Sequence, residues 1–276
     1  MRCPTRRNRL VVPVVWVGHA RGVRIGSLGV APQIPQALGE AGHEVVRFTR
    51  EPTRADALGL DLLVVCGFPR RLGPDVFAAP RLGTWNVHPS LLPARRGPQP
   101  LRWAILRGDE RLGVTVHQMS DVLDAGDIWW QEAVRSEGEG YSRSLAALLT
   151  RAAHALPQLV ADVLAGARPT PQPSRGTYDP RVPPALRRLD PALDAETFAR
   201  RVAALDDAPA RLVGPHGPIA LLRAERVSGS PTQPGRVVAR DDRGVTFGVR
   251  DGLLHALLAS PARLRVGDEL RPPGLR

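Results

Sequence analysis

A chain of 276 residues with 43% apolar side chains can build one large or two ordinary hydrophobic cores, and no apolar stretch reaches membrane-spanning length. Aromatic residues make up only 4%, so the core is expected to consist mainly of Val, Leu and Ala. The formal net charge of +11 comes from arginine alone and is spread along the chain (22 Arg against 15 acids in residues 1–176, 16 against 12 in residues 177–276), with no basic tail or stripe announcing a polyanion partner.

At the N-terminus, Arg6-Arg7 followed by an apolar run over residues 10–17 imitates a signal peptide, but the run ends at Gly18 after eight residues and reads as a first β-strand. Cys3 and Cys66 form no disulfide framework and lack metal-ligand spacing, and Cys66 lies in an apolar run as a buried thiol. A reducing, cytoplasmic setting is expected. After a glycine-containing segment, residues 34–41 read as a short helix closed by Gly42, with strands at 43–48 and 60–66. Residues 77–82 lead into a strand at 83–88. A helix at 101–107 follows, then strands at 113–119 and 128–134. This alternation predicts an α/β fold, an open and mostly parallel Rossmann-like sheet with helices on both faces.

Residues 144–164 carry Leu, Ala and Val at helical spacing, with Pro157 either kinking that helix or opening a second one. Three prolines between Arg168 and Ser174 predict an extended linker. Beyond it come a helix at 195–205 entered from an Asp194 N-cap and short strands at 219–224, 235–239, 245–249 and 253–258, with turns at 241–244 and 250–252. Many short strands predict a smaller C-terminal β-barrel, OB-like in type. The expected division is a catalytic domain over 1–167, a linker over 168–184 and a C-terminal domain over 185–276.

The chemistry concentrates in Trp85-Asn86-Val87-His88-Pro89-Ser90-Leu91-Leu92-Pro93, followed by Arg96-Gly97. Asn86 and His88 stand two apart at a strand end, so their side chains share a face, at the carboxyl edge where open α/β sheets bind ligands. An amide donor beside an imidazole suits acyl transfer: one holds developing negative charge, the other stabilises charge or moves a proton. The pair by itself also reads as a hydrogen-bonded strand end. The glycines of residues 18–29 contain no G-x-G-x-x-G, a P-loop is excluded by the absence of lysine, and the seven histidines lack metal-ligand spacing, so no metal is expected. Trp129 and Trp130 put one ring on each face of a strand, as core packing or toward an acceptor site.

Three motifs in order, Asn86-Val-His88-Pro-Ser-Leu-Leu-Pro, Gly113-Val-Thr-Val-His-Gln-Met and Leu123-Asp-Ala-Gly126, resemble the folate-dependent formyltransferase family. That family takes in glycinamide ribonucleotide, methionyl-tRNA and sugar N-formyltransferases, and the resemblance covers residues 10–165. The tail, around Pro234-Gly-Arg-Val and Asp251-Gly-Leu-Leu, is more loosely similar to the C-terminal domain of methionyl-tRNA formyltransferases.

The resemblance implies Asn86, His88 and Asp124 as the catalytic trio and 10-formyltetrahydrofolate as co-substrate. Folate would lie against Phe68, Arg70, Leu72, Ser120, Asp121, Val122 and Leu123, with Asp121 and Asp127 as carboxylates competing with Asp124. His117, Arg96 and Gly97 are candidate acceptor-binding residues, and for His117 a satisfied sheet histidine is the equal alternative. The acceptor is the open half. Only about a dozen residues separate the strands ending near Phe48 and starting at Leu60, where methionyl-tRNA formyltransferases resembling this chain carry a longer basic segment. The leading expectation is therefore an N-formyltransferase acting on a small-molecule amine such as an amino sugar, peptide or ornithine derivative. A divergent methionyl-tRNA formyltransferase, with tRNA as partner, is the alternative, and an idle folate- or RNA-binding module is the third.

Overall fold

The computed structural model describes residues 22–274, so the strand expected at 10–17 and Cys3 lie outside the described residues. The first described strand, β1 (Arg24–Gly29), falls instead in the segment read as a glycine-containing connection. Its glycine has a packing role. A Cβ on Gly26 would come within 2.6 Å of Leu60 and 2.8 Å of Leu63, so only a residue without a side chain lets the neighbours close over this central strand. Ile25 and Leu28 supply its buried apolar faces.

From β1 the chain alternates as expected: α1 (Gln33–Glu40), β2 (Glu44–Phe48), α2 (Arg54–Leu58), β3 (Leu62–Cys66), α3 (Pro74–Phe77), β4 (Thr84–His88), α4 (Pro100–Arg107), β5 (Arg111–Gln118) and β6 (Ile128–Arg135). Helices α2 and α3 are too short to show a helical period, and they were not legible in the apolar pattern. Thr53 caps α2 in a reciprocal box with Asp56, and Pro74 opens α3 at its first turn. Gly108 ends α4 in the left-handed conformation.

The six strands run in the order β2-β1-β3-β4-β5-β6, parallel through β4 and antiparallel beyond it. Strand β3 is buried at every position because both faces of the sheet are covered. Leu62, Val64 and Cys66 join the main core with Trp85 and Val87, whereas Leu63 and Val65 join a second cluster with Ala57, Leu60, Leu72 and Val76. That alternation leaves Asn86 and His88 on the face opposite Trp85 and Val87, at the carboxyl end of β4. Trp129 packs against Trp85 at 5.2 Å between ring centroids and donates its indole N–H to Gln118.

Helix α5 (Tyr141–Leu164) is continuous through Pro157, so the proline neither opens a second helix nor ends the first. The proline-rich segment that follows is extended but not free. Thr170 exchanges backbone hydrogen bonds with Ile128 at 2.8 Å, and Arg96 and Tyr178 form a parallel bridge.

The rest of the chain forms a short 3-10 turn at Pro184–Arg187, α6 (Ala195–Ala204), and a five-stranded antiparallel sheet in the order β7-β8-β11-β10-β9. Its strands are β7 (Ala210–Gly214), β8 (Gly217–Val227), β9 (Val237–Arg240), β10 (Gly244–Val249) and β11 (Gly252–Leu258). Arg271 bridges to Val213 and Glu269 to Arg236, so the terminal segment spans both edges and gives the sheet its barrel-like closure. Asp194 caps α6 through Thr197 N–H, as its position before the helix predicts. The two sheets share one apolar core, in which α6 packs on α4. Arg102 of α4 ties them further. It stacks on Tyr141 at 3.7 Å and reaches both carboxylate oxygens of Asp207 at 2.8 and 2.5 Å. Among the described residues no helix is long and apolar enough to cross a membrane.

Candidate active site

Strand β4 delivers Asn86 and His88 to one face because side chains two apart on a strand point the same way. The chain then crosses Pro89–Pro98 and returns on β5, which pairs with β4 so that His117 lies directly opposite Asn86. The loop after β5 turns Asp124 inward. Its backbone has φ +51, a left-handed conformation that a short polar side chain tolerates better than most. The site is thus assembled from two adjacent strands and the two loops at their ends.

Asp124 is the centre of the arrangement. One carboxylate oxygen accepts the backbone N–H of Gly97 at 2.8 Å, and the other faces His88 Nδ1 at 3.8 Å and His117 Nε2 at 3.7 Å. All three side chains are buried. The two imidazoles meet edge to face at 6.1 Å. His88 donates Nε2–H to the carbonyl of Arg95 at 3.0 Å, which leaves its Nδ1 side turned toward Asp124.

His117 is also held at both nitrogens. Its Nδ1 lies 3.0 Å from the Gln118 carbonyl and its Nε2 lies 3.2 Å from Asn86 Nδ2. Burial, seconded by the neighbouring His88, pushes its pKa down to about 4 against the opposing pull of Asp124. A neutral ring donating from Nδ1 must accept at Nε2, so it takes one amide hydrogen of Asn86 and fixes which end of that amide is the donor. The second amide hydrogen remains for the cavity. His117 is therefore the satisfied sheet histidine that the sequence allowed, and it also orients the residue beside it.

These groups open on a cleft of about 470 Å³ at the carboxyl edge of the sheet. Its wall includes Phe68, Leu72, Met119, Leu123, Leu145 and Leu149, an apolar slot of the size that takes a flat heterocycle. Arg70 and Ser120 reach it, as do Gly97 and His117. Asp121 and Val122 do not. Val122 stands exposed, and Asp121 uses its carbonyl to accept from Arg71 at 2.6 Å. The Arg96 guanidinium is turned onto Gln172 and the carbonyls of Pro173 and Ser174. Trp129 and Trp130 belong to the packing, and neither lines the cleft.

Sequence reasoning missed Tyr141, Tyr178 and Arg181, which all line the cleft. Tyr178 and Arg181 sit in a segment whose prolines said only that it was extended, and no local pattern could have brought it across residues 93–98. Among the described residues no group of three or more His, Cys, Asp or Glu side chains is placed to hold a metal ion.

A family model described as formyl transferase matches residues 45–160, the stretch that contains the whole β4–β5 site. The methionyl-tRNA formyltransferase of Halorhodospira halophila is 36% identical over 262 residues, covering 93% of this chain and 80% of its own. HypX from Aquifex aeolicus, solved in complex with tetrahydrofolic acid, superposes with a TM-score of 0.73 at 25% identity over 86% of this chain, which spans 44% of that longer protein. The methionyl-tRNA formyltransferase of Clostridium thermocellum shares the fold at TM-score 0.59 and 18% identity, over 75% of this chain and 94% of its own.

Proposed function

The chain belongs to the formyl transferase family and is a folate-dependent formyltransferase, and from that premise we propose that it formylates the amino group of methionyl-tRNA. The observation that carries the acceptor is the extent of the likeness to methionyl-tRNA formyltransferases. It runs over 93% of the chain and so includes the C-terminal sheet as well as the catalytic cleft. This reverses the expectation of a small amine drawn from the short connection after Phe48. That connection is short, 13 residues between β2 and β3 with only α2 inside it, and it favours the small-amine acceptor as the second reading. The spread arginine charge suits either acceptor, since folate and RNA are both anions.

The apolar slot of Phe68, Leu72 and Leu123 fits the folate heterocycle, with the backbone of residues 67–72 and 120–124 available to its polar edge. 10-Formyltetrahydrofolate supplies an electrophilic formyl carbon: the acceptor nitrogen bonds to that carbon, the bond to N10 breaks, and the amine proton ends on N10. Asn86 donates its free amide hydrogen toward the formyl oxygen as negative charge grows there. His88, whose ring proton is held at Nε2 by the Arg95 carbonyl, takes the amine proton at Nδ1 on its way to N10, and the ring so protonated, 3.8 Å from the Asp124 carboxylate, donates from Nδ1 to the same charge. A preorganised donor of this kind contributes about a hundredfold to a thousandfold in rate. The division into catalytic domain (1–167), linker (168–184) and C-terminal domain (185–276) belongs to the same reading, with the C-terminal unit as a second surface for the acceptor.

Incubating the protein with 10-formyltetrahydrofolate and either methionyl-tRNA or a panel of free amines tests the acceptor, read by mass spectrometry of the products. Formyl-methionyl-tRNA is the expected product. Formylation of a free amine with methionyl-tRNA left unchanged would move the assignment to the second reading. Asn86→Ala or His88→Ala retaining activity within about threefold, against the larger losses such donors produce, would remove the site assignment.

A further inference from the structure

The proline-rich segment packs across the loop that supplies two contacts to the catalytic groups. Arg95 gives its carbonyl to His88 Nε2–H, and Gly97 gives its N–H to Asp124 Oδ2. Both belong to a turn with unusual backbone: Arg95 has φ +61 and Gly97 φ +112. Glycine takes such an angle freely, but at Arg95 it persists only where the surroundings impose it.

What imposes it comes from residues 177–179, about eighty positions further along the chain. Arg95 N–H donates to Thr177 Oγ1 at 2.8 Å and Arg96 N–H to the Thr177 carbonyl at 2.8 Å. Asp179 N–H returns to the Arg96 carbonyl at 2.7 Å. The Arg95 guanidinium is locked as well, by Asp179 through Nη1 at 2.9 Å and by Asp109 through Nε at 2.7 Å. Asp179 is fully buried, and its second oxygen accepts from Arg107 at 2.7 Å.

We propose that Asp179 and Thr177 are positioning residues for the transfer reaction: they hold Arg95 in its left-handed conformation so that its carbonyl fixes the tautomer and orientation of His88. Neither needs to touch a substrate. A carbonyl at Nε2 keeps the neutral ring's proton there and presents Nδ1 to Asp124 and the cleft. Releasing Arg95 frees that carbonyl to turn away, and His88 can then exchange tautomers and rotate. Displacements of this kind at a reacting group are worth tenfold to a hundredfold in rate. The inference rests on the role assigned above to His88.

The test compares Asp179→Asn with Arg107→Gln in the full-length protein. Asp179→Asn removes both ion pairs of the buried carboxylate, to Arg95 and to Arg107, whereas Arg107→Gln removes only the second and leaves Arg95 held. Asp179→Asn is expected to lower kcat about tenfold or more with the KM for 10-formyltetrahydrofolate within about twofold. Arg107→Gln is expected to leave kcat unchanged, with the smaller loss of thermal stability, because Asp179 keeps its pair with Arg95. Imidazole 15N spectra should show His88 as the Nε2–H tautomer in the parent and as a mixture in Asp179→Asn. Should Asp179→Asn not fold, Thr177→Val carries the same two measurements, because it removes the other tether of Arg95. A parent-like His88 spectrum together with parent-like kcat in the folded variant would overturn the proposal. The spectrum is independent of turnover, so an unchanged rate in His88→Ala, which would sink the His88 assignment itself, is a separable outcome.

Discussion

Replacing His117 by Gln should change how the fold responds to acid more than how it behaves at neutral pH. In the native protein the ring is buried and its pKa lies near 4, whereas in the unfolded chain it returns to an ordinary histidine value near 6.5. Between those values the unfolded state binds the proton and the folded state does not. Stability is therefore complete above about pH 6.5 and is lost as pH falls through the window to about 4, with a slope approaching 1.4 kcal/mol per pH unit. Over the window this single group accounts for a loss on the order of 3 kcal/mol, a large share of the margin of an ordinary domain.

Gln at 117 cannot titrate, so that loss should vanish while the remaining acid sensitivity, from carboxylates such as Asp56 and Asp61 held below their usual range, stays in both proteins. Urea unfolding at pH 7.5 and at steps down to pH 4.5 measures it. At neutral pH the variant is the less stable protein, through the lost contact to Asn86, and the gap narrows steadily as pH falls. Two parallel stability curves would mean that His117 is not held neutral by burial. The orientation assigned to the Asn86 amide, which depends on a neutral acceptor at Nε2, would fall with it.

Three further outcomes follow from the same geometry. Asp124→Asn keeps a residue tolerant of the left-handed backbone and an oxygen for Gly97 N–H, so it should fold within about 1 kcal/mol of the parent and lose roughly 10² to 10⁴ in kcat, read by paired denaturation and steady-state assays. Gly97→Ala should cost about 2–4 kcal/mol of stability together with most activity, because its φ of +112 suits only glycine and the new Cβ would sit 2.2 Å from the Asp179 carbonyl; a parent-like melting temperature would refute the strap geometry. Cys66, pushed up to about 12 by burial, should resist maleimide labelling in the folded protein and label only on unfolding, followed by peptide mapping.

The sequence carried the α/β class, four of the five C-terminal strands (β7 was missed), the Asp194 cap and the shared face of Asn86 and His88. Each depends on a local rule, whether apolar periodicity, turn chemistry or the two-residue repeat of a strand. Strand β1 was read as a connection because its glycines resemble one, and the purpose of Gly26, making room for Leu60 and Leu63, exists only once the neighbouring segments are packed beside it. Asp124 was chosen over Asp121 and Asp127 by family likeness. The fold supplies the reason, since this carboxylate alone of the three is turned inward between two imidazoles. Nothing local could link Thr177 and Asp179 to His88, for they meet through Arg95 across some eighty residues of chain. Which residues can do acyl-transfer chemistry is written in residue type and spacing. How the groups around His88 are held, and that the strap from residues 177–179 holds them, was decided by tertiary packing, because buried polar groups must find partners and the nearest ones lie far along the chain.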